Sequence, residues 1–148
     1  MPSEIRWGAP ASAVSVLSTE LNALANGANA VTAAAIDADA ARSMLADVYL
    51  TVTFAAAPST GGYCDLYFLT SPDGGTTWSD GSASVDPQGS GQAAQFNLRP
   101  VTTAQVVKVE RVPMPAADYK PLLRNRSGQA FPATGSTVRI VKYSPESQ

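Results

Sequence analysis

The run VYLTVTF at residues 48–54 sets Val48, Leu50, Val52 and Phe54 on one side of the chain and Tyr49, Thr51 and Thr53 on the other. Alternation of this kind is the period of a half-buried strand, whose successive side chains point to opposite faces. A helix cannot gather that pattern on one face, so this part of the chain is committed to β-structure. The next segments repeat the commitment. APSTGG is a turn, and YCDLYFLT sets Cys64, Leu66 and Phe68 against Tyr63, Asp65 and Tyr67. QFNLRPV, AQVVKVERV, DYKPLLRNR and STVRIVKYS read as further strands. VPMP closes its run because proline has no N–H for a ladder, and Pro121 marks an edge or a bulge. Roughly seven or eight short strands with turns between them give a mainly β fold, an antiparallel β-sandwich or jelly roll. No stretch repeats, which excludes a multi-bladed propeller.

The front of the chain reads differently. In residues 1–17, Pro2 and Pro10 resist regular structure while Ile5 and Trp7 offer apolar contacts. In SVLSTELNALANG, Leu17, Leu21 and Leu24 recur at spacings of four and three, which predicts a short α-helix with Ser18 or Thr19 at its start and Gly27 at its end. Such a helix is too short to stand alone in water. Its leucines dock either on their own domain or, with Ile5 and Trp7, on another subunit. The expected division is an extended arm and short helix over 1–27 and a β-sandwich over 28–148. Within the latter, ANAVTAAAIDADAARSMLAD (28–47) reads as a short strand, a loop and the start of the next strand.

Composition narrows the function. The chain of 148 residues has 45% hydrophobic and only 15% charged residues. So light a charge suits a molecule partly covered by copies of itself or by a partner. The net charge is −2, with 10 basic and 12 acidic residues and no dense Lys/Arg cluster, which argues against nucleic acid. No run of 18 apolar residues is present to span a membrane. The opening MPSEIRWGAP lacks a basic segment followed by an apolar one, so the expected route is assembly inside a cell and release by lysis. Histidine is absent, which removes the commonest general base and metal ligand. The single cysteine, Cys64, reads as a buried, inert thiol.

SPDGGTTW (71–78) fits the Asp-box, Ser-x-Asp-x-Gly-x-Thr-Trp, best known from sialidase propellers. Its logic is local. Asp73 accepts N–H groups of the loop, Gly75 supplies a conformation closed to other residues, and Trp78 packs beneath the turn. Ser71, Asp73, Gly75, Thr77 and Trp78 are therefore read as a structural hairpin whose partner strand starts near Trp78. A sialidase site also needs converging arginines, and nothing in the spacing of Arg111, Arg124, Arg126 and Arg139 brings them together. Asp65, Asp73, Asp80 and Asp86 lack the spacing of a calcium loop. No catalytic residue, metal or cofactor is expected. Trp78 with Tyr63 and Tyr67 offers an alternative platform for stacking sugars.

Three stretches carry a resemblance: STELNALANG, the Tyr63–Trp78 segment with its SPDGGTTW, and RVPMPAADYKPLLRNRSGQAFPATGSTVRIVKYS. In this order they resemble a family of small structural proteins of tailed bacteriophages. Its members begin with a short T-E-L-N-x-L-A-N-G helix, continue into a β-sandwich and end on a P-x-P…K…L-x-N-R-x-G…G-x-T pattern. The match spans nearly the whole chain and departs from it at 38–43, where ADAARS stands in place of a more polar turn. The resemblance implies a non-enzymatic virion protein: a head decoration or cement protein on the particle's outer surface, assembled in the host cytoplasm. It implies that the arm contacts the major capsid protein or other virion proteins, and that the chain forms a homo-dimer or homo-trimer. The alternative it leaves is a tail or fibre component, an adhesin for host glycans.

Overall fold

The computed structural model describes residues 5–37 and 43–147. Among them the chain forms β1 (Ile5–Trp7), β2 (Val14–Leu17), β3 (Asn29–Val31), β4 (Leu45–Val52), β5 (Tyr63–Thr70), β6 (Gln92–Asn97), β7 (Gln105–Pro113), β8 (Tyr119–Arg126), β9 (Thr137–Tyr143) and β10 (Pro145–Ser147). Their pairing follows one rule. β5 pairs with β6, β4 with β7, β3 with β8, β2 with β9 and β1 with β10, all antiparallel. The chain is thus one long two-stranded ribbon folded back at the β5–β6 connection. Rolling the ribbon up brings β4 against β9 and β5 against β8. The result is two four-stranded sheets packed as a sandwich: a first sheet in the order β2-β9-β4-β7 and a second in the order β3-β8-β5-β6. The β1–β10 pair forms a separate two-stranded ribbon.

The core lies between the sheets, where the alternation predicted it. Val48, Leu50, Val52 and Phe54 turn inward from the first sheet, with Val138 and Ile140. Cys64, Leu66, Phe68, Phe96 and Leu123 face them from the second. Phe68 packs on Tyr119 at 4.9 Å between ring centres, and Phe54 meets Phe131 edge-on at 5.4 Å. Full burial of an aliphatic or aromatic side chain contributes about 1.5–3 kcal/mol, so this double layer holds the two sheets together.

The N-terminal α-helix does not form. Val14–Leu17 is an edge strand of the first sheet, and only Thr19–Leu21 makes a single 3-10 turn. The backbone donors that a helix would use are taken elsewhere: the Ala23 N–H donates to Pro132 O and the Gly27 N–H to Asn125 O. The buried Asn125 amide fixes this path, donating to Leu24 O at 3.0 Å and Gln129 O at 2.8 Å. The leucine spacing did report a common face, but an irregular segment supplies it. Leu17, Leu21 and Leu24 are buried in the protein's own core, not presented to a partner. Residues 14–24 therefore belong to the sandwich, which begins well before residue 28.

In the 28–47 segment, β3, a bridge from Ile36 to Tyr119 and the start of β4 follow the expected order. Residues 38–42 of the ADAARS stretch lie outside the described residues. Pro121 sits in the interior strand β8, not at an edge. Its carbonyl accepts the Thr32 N–H, but it has no N–H to return, and β3 ends opposite the next residue, Leu122. β5 also departs from the alternation. Asp65, Tyr67 and Leu69 on its outer side are buried along with Cys64, Leu66 and Phe68. No strand begins at Trp78; the chain runs on as a loop to β6. That loop lies over the outer face of the second sheet, where Val31, Tyr67, Leu69 and Leu122 form a second apolar cluster. The Asn29 amide holds it by donating to Ser82 O, Val85 O and Asp86, and Arg124 pairs with Asp86 at 2.6 Å.

Candidate functional site: an aromatic and arginine-lined groove

Among the described residues no such cover lies on the outer face of the first sheet, and a polar network has formed on it around Asp47. Between Ala46↔Val112 and Val48↔Val109 the register slips, so Asp47 stands opposite two residues, Glu110 and Arg111. This is a β-bulge. Arg111 takes φ +55, a left-handed conformation that a residue with a side chain rarely adopts. Asp47 stabilises it by accepting the Arg111 N–H at 3.1 Å. The same carboxylate accepts the Tyr143 hydroxyl at 3.0 Å and pairs with Lys108 at 2.9 Å. Lys108 also reaches Glu110 at 2.7 Å. Burial pushes the Asp47 carboxyl up, but the bonds from Lys108, Arg111 and Tyr143 outweigh it and hold the group below the usual carboxylate range. Hydrogen bonds to Glu110 and Asp47 keep Lys108 charged well beyond its ordinary value.

Beside this network runs the β1–β10 ribbon. Trp7 pairs with Pro145 in it, meets Tyr143 edge-on at 5.4 Å and is 59% exposed. Trp7, Tyr143, Asp47, Glu110 and Arg111 line a groove of about 300 Å³. Exposed Trp, Tyr and Arg on a fixed scaffold are the residue types that dominate binding hot spots. Bonds already made within the network leave less freedom to be lost on association.

Of the five interface residues expected from the sequence, Trp7 reaches this groove, Ile5 lies two residues before it opposite Ser147, and the three leucines lie in the core. The sequence reading passed over Asp47 and Tyr143 and weighed Arg111 only as a sialidase-type arginine. A signal for the bulge was present: in QVVKVERV the alternation slips at Glu110-Arg111, where two polar residues follow each other in a strand.

The Asp-box residues form a closed loop and not the two-stranded hairpin expected of them, although the local bonds are those the motif calls for. Asp73 accepts the Thr76 and Thr77 N–H groups at 3.1 and 2.8 Å and the Thr77 hydroxyl at 2.8 Å. Ser71 donates to Asp73 at 2.9 Å and accepts the Gly75 N–H at 2.7 Å. The Thr77 bonds lead in holding the Asp73 carboxyl below its usual range. Gly75 sits at φ +95, with the Trp78 ring beside the place a Cβ would occupy. Bonds between Thr70 and Ser79 close the loop. Trp78 is half-buried beneath the Lys120 ammonium at 4.5 Å, and Tyr67 is buried under the covering loop, so these aromatics make no joint platform. Arg124 and Arg126 lie on the second sheet beside Asp86 and Asp65, while Arg111 and Arg139 belong to strands of the first. Among the described residues no group of three or more acidic or thiol side chains is placed to hold a metal. Cys64 is fully buried, and burial pushes its thiol up to about 12.

A second hollow opens between β2 and β3, where the two sheets present free edges on the same side. It measures about 410 Å³ and is lined by Val14, Val16, Ile36, Ile140, Tyr119 and Lys142, among others. The Tyr119 side chain is 1% exposed, and its hydroxyl has no hydrogen-bond partner among the described residues. Burial pushes that hydroxyl up to about 12. The Lys142 ammonium lies 5.6 Å from the Tyr119 ring centre; burial lowers its pKa, and the Asp37 carboxylate acts the other way.

No protein-family model, curated protein or solved structure matches the chain.

Proposed function

We propose that this chain is a non-enzymatic structural component of a tailed-phage particle, a decoration or cement protein that sits on the outer surface of the shell and clamps neighbouring major capsid subunits. The observation that carries the reading is the Trp7 groove. It pairs an exposed tryptophan, on a ribbon lying apart from the two sheets, with an arginine fixed at a bulge, where an extended arm meets the body. The strand order supports it as well: a two-stranded ribbon rolled into two four-stranded sheets fits the jelly-roll body we propose for such a protein. The first sheet's uncovered face, where Val106 is 66% exposed, offers the body's own contact area, against the shell or against copies in a dimer or trimer.

Copy number in purified particles tests this. A simple ratio to the major shell protein is the expected result. Trp7→Ala should leave the protein folded and lower its occupancy on particles at least tenfold, because truncating a central tryptophan costs about 2 kcal/mol or more. A second reading, a tail adhesin, also draws on the groove, since an exposed indole beside Asp47, Glu110 and Arg111 suits a sugar ring. It predicts a few copies per particle and glycan affinity lost in Trp7→Ala. Absence from particles would sink both.

A further inference from the structure

The hollow between β2 and β3 shares no lining residue with the Trp7 groove. We infer that it binds a small amphiphilic monocarboxylate, with the apolar chain between the sheets and the carboxylate at Lys142. Two independent features point there. The first is shape and lining: about 410 Å³ walled by Val14, Val16, Ile36 and Ile140, within the size range of small-molecule sites of about 300–1,000 Å³. The second is polarity at one end. Tyr119 brings a buried hydroxyl with no partner among the described residues, which is rare in a folded protein and is satisfied by an acceptor from a ligand. Lys142 supplies the positive charge that selects an anion.

The geometry also gives a way in. The Lys142 ammonium sits over the tyrosine ring, 5.6 Å from its centre. A turn of the flexible lysine chain lets the ammonium meet an incoming carboxylate. Asp37 is the other charge acting on Lys142. It competes with the ligand for the ammonium, so binding is of modest strength and a second negative charge on the ligand is disfavoured. Ser12, Ser15 and Thr32 belong to the same lining.

The test compares three probes of one chain length, octanoate, octanol and octylamine, at neutral pH and below their aggregation limits, by calorimetry and by thermal melting of the whole chain. Octanoate should bind saturably and raise the melting temperature, octanol should bind at least tenfold more weakly, and octylamine should not bind. Lys142→Met, which keeps the chain length and removes the charge, should bring octanoate down to the level of octanol. Tyr119→Phe should weaken octanoate severalfold while the ratio between the probes persists; a purely structural tyrosine would shift the melting temperature of the free protein and leave octanoate affinity alone. Equal binding of the three probes overturns the inference. So does no saturable binding, or a Lys142→Met protein that still prefers octanoate.

Discussion

The two sheets of the sandwich share a core but differ on their outer faces. The second sheet is roofed: the loop between β5 and β6 lies over Val31, Tyr67, Leu69 and Leu122, tied down by Asn29 and by the Arg124–Asp86 pair. The first sheet is open among the described residues, and its outer side carries Asp47, Lys108 and Val106. The same strand grammar therefore yields two kinds of surface. Where a roof exists, a strand is apolar on both sides and stabilises the fold; where none exists, the outer side is left for polar networks and contacts. It is the open side that borders the Trp7 groove.

Leu122→Ala should give the largest effect. Leu122 is fully buried in the roofed cluster, and removing a buried leucine side chain costs about 2–5 kcal/mol. Urea unfolding measures this, and a loss near zero would mean that the roof lifts readily and the two faces are alike after all.

The two acidic residues facing outward from the paired sheets, Asp47 and Asp65, should respond oppositely to pH. The folded pKa of Asp47 is lowered, so its contribution is present above the unfolded value of about 3.9 and is lost as pH falls through the folded one. Asp65 is raised, by burial first and against the pull of Arg126 and Arg124. Its ionisation costs the folded state, so stability attributable to it falls as pH rises from the unfolded value through the folded one. Asp47→Asn should cost about 1–2 kcal/mol at neutral pH, given the bonds it breaks, and its deficit should shrink in acid. The stability of wild type relative to Asp65→Asn should instead improve in acid. Melting curves of both variants from pH 3 to 7 would show the opposite slopes, and parallel slopes would contradict the assignment.

Arg124→Met should cost about 1 kcal/mol, because Asp86 is largely exposed. Its clearer sign is faster protease cleavage between residues 79 and 91, as the roof loses its tie. Val106→Ala on the open face sets the lower end: a stability change within about 0.5 kcal/mol by the same urea assay.

How far the fold was legible follows the same division. β4 was legible because its outer side meets water, so burial and sequence alternate together. β5 misled because Asp65 and Tyr67 look like solvent-facing residues but lie beneath Gln92 and the covering loop; Gln92 donates to Asp65 at 3.0 Å. Nothing local to YCDLYFLT encodes that cover, which depends on Asn29 and Arg124 far away in the chain. The leucines at 17, 21 and 24 carried a true message about burial and a false one about helix, because Asn125 captures the backbone at Leu24 from the other end of the sequence. The Asp-box was readable since all its bonds lie within a few residues. The Trp7 groove was half-readable: Trp7 stood out, while Asp47, Arg111 and Tyr143 meet only through strand register.

The ribbon's pairing rule also decides when this protein becomes able to fold. Strands β2 to β5 each take their ribbon partner from β6 to β9. During synthesis the first half of the chain therefore waits, its strand edges unpaired, until the second half arrives. Closure starts at the β5–β6 connection and zips outward, and the most distant pairs must close the largest loops, which makes for slow folding. The cell's risk is greatest midway through translation, when bare edges can pair with those of neighbouring nascent chains.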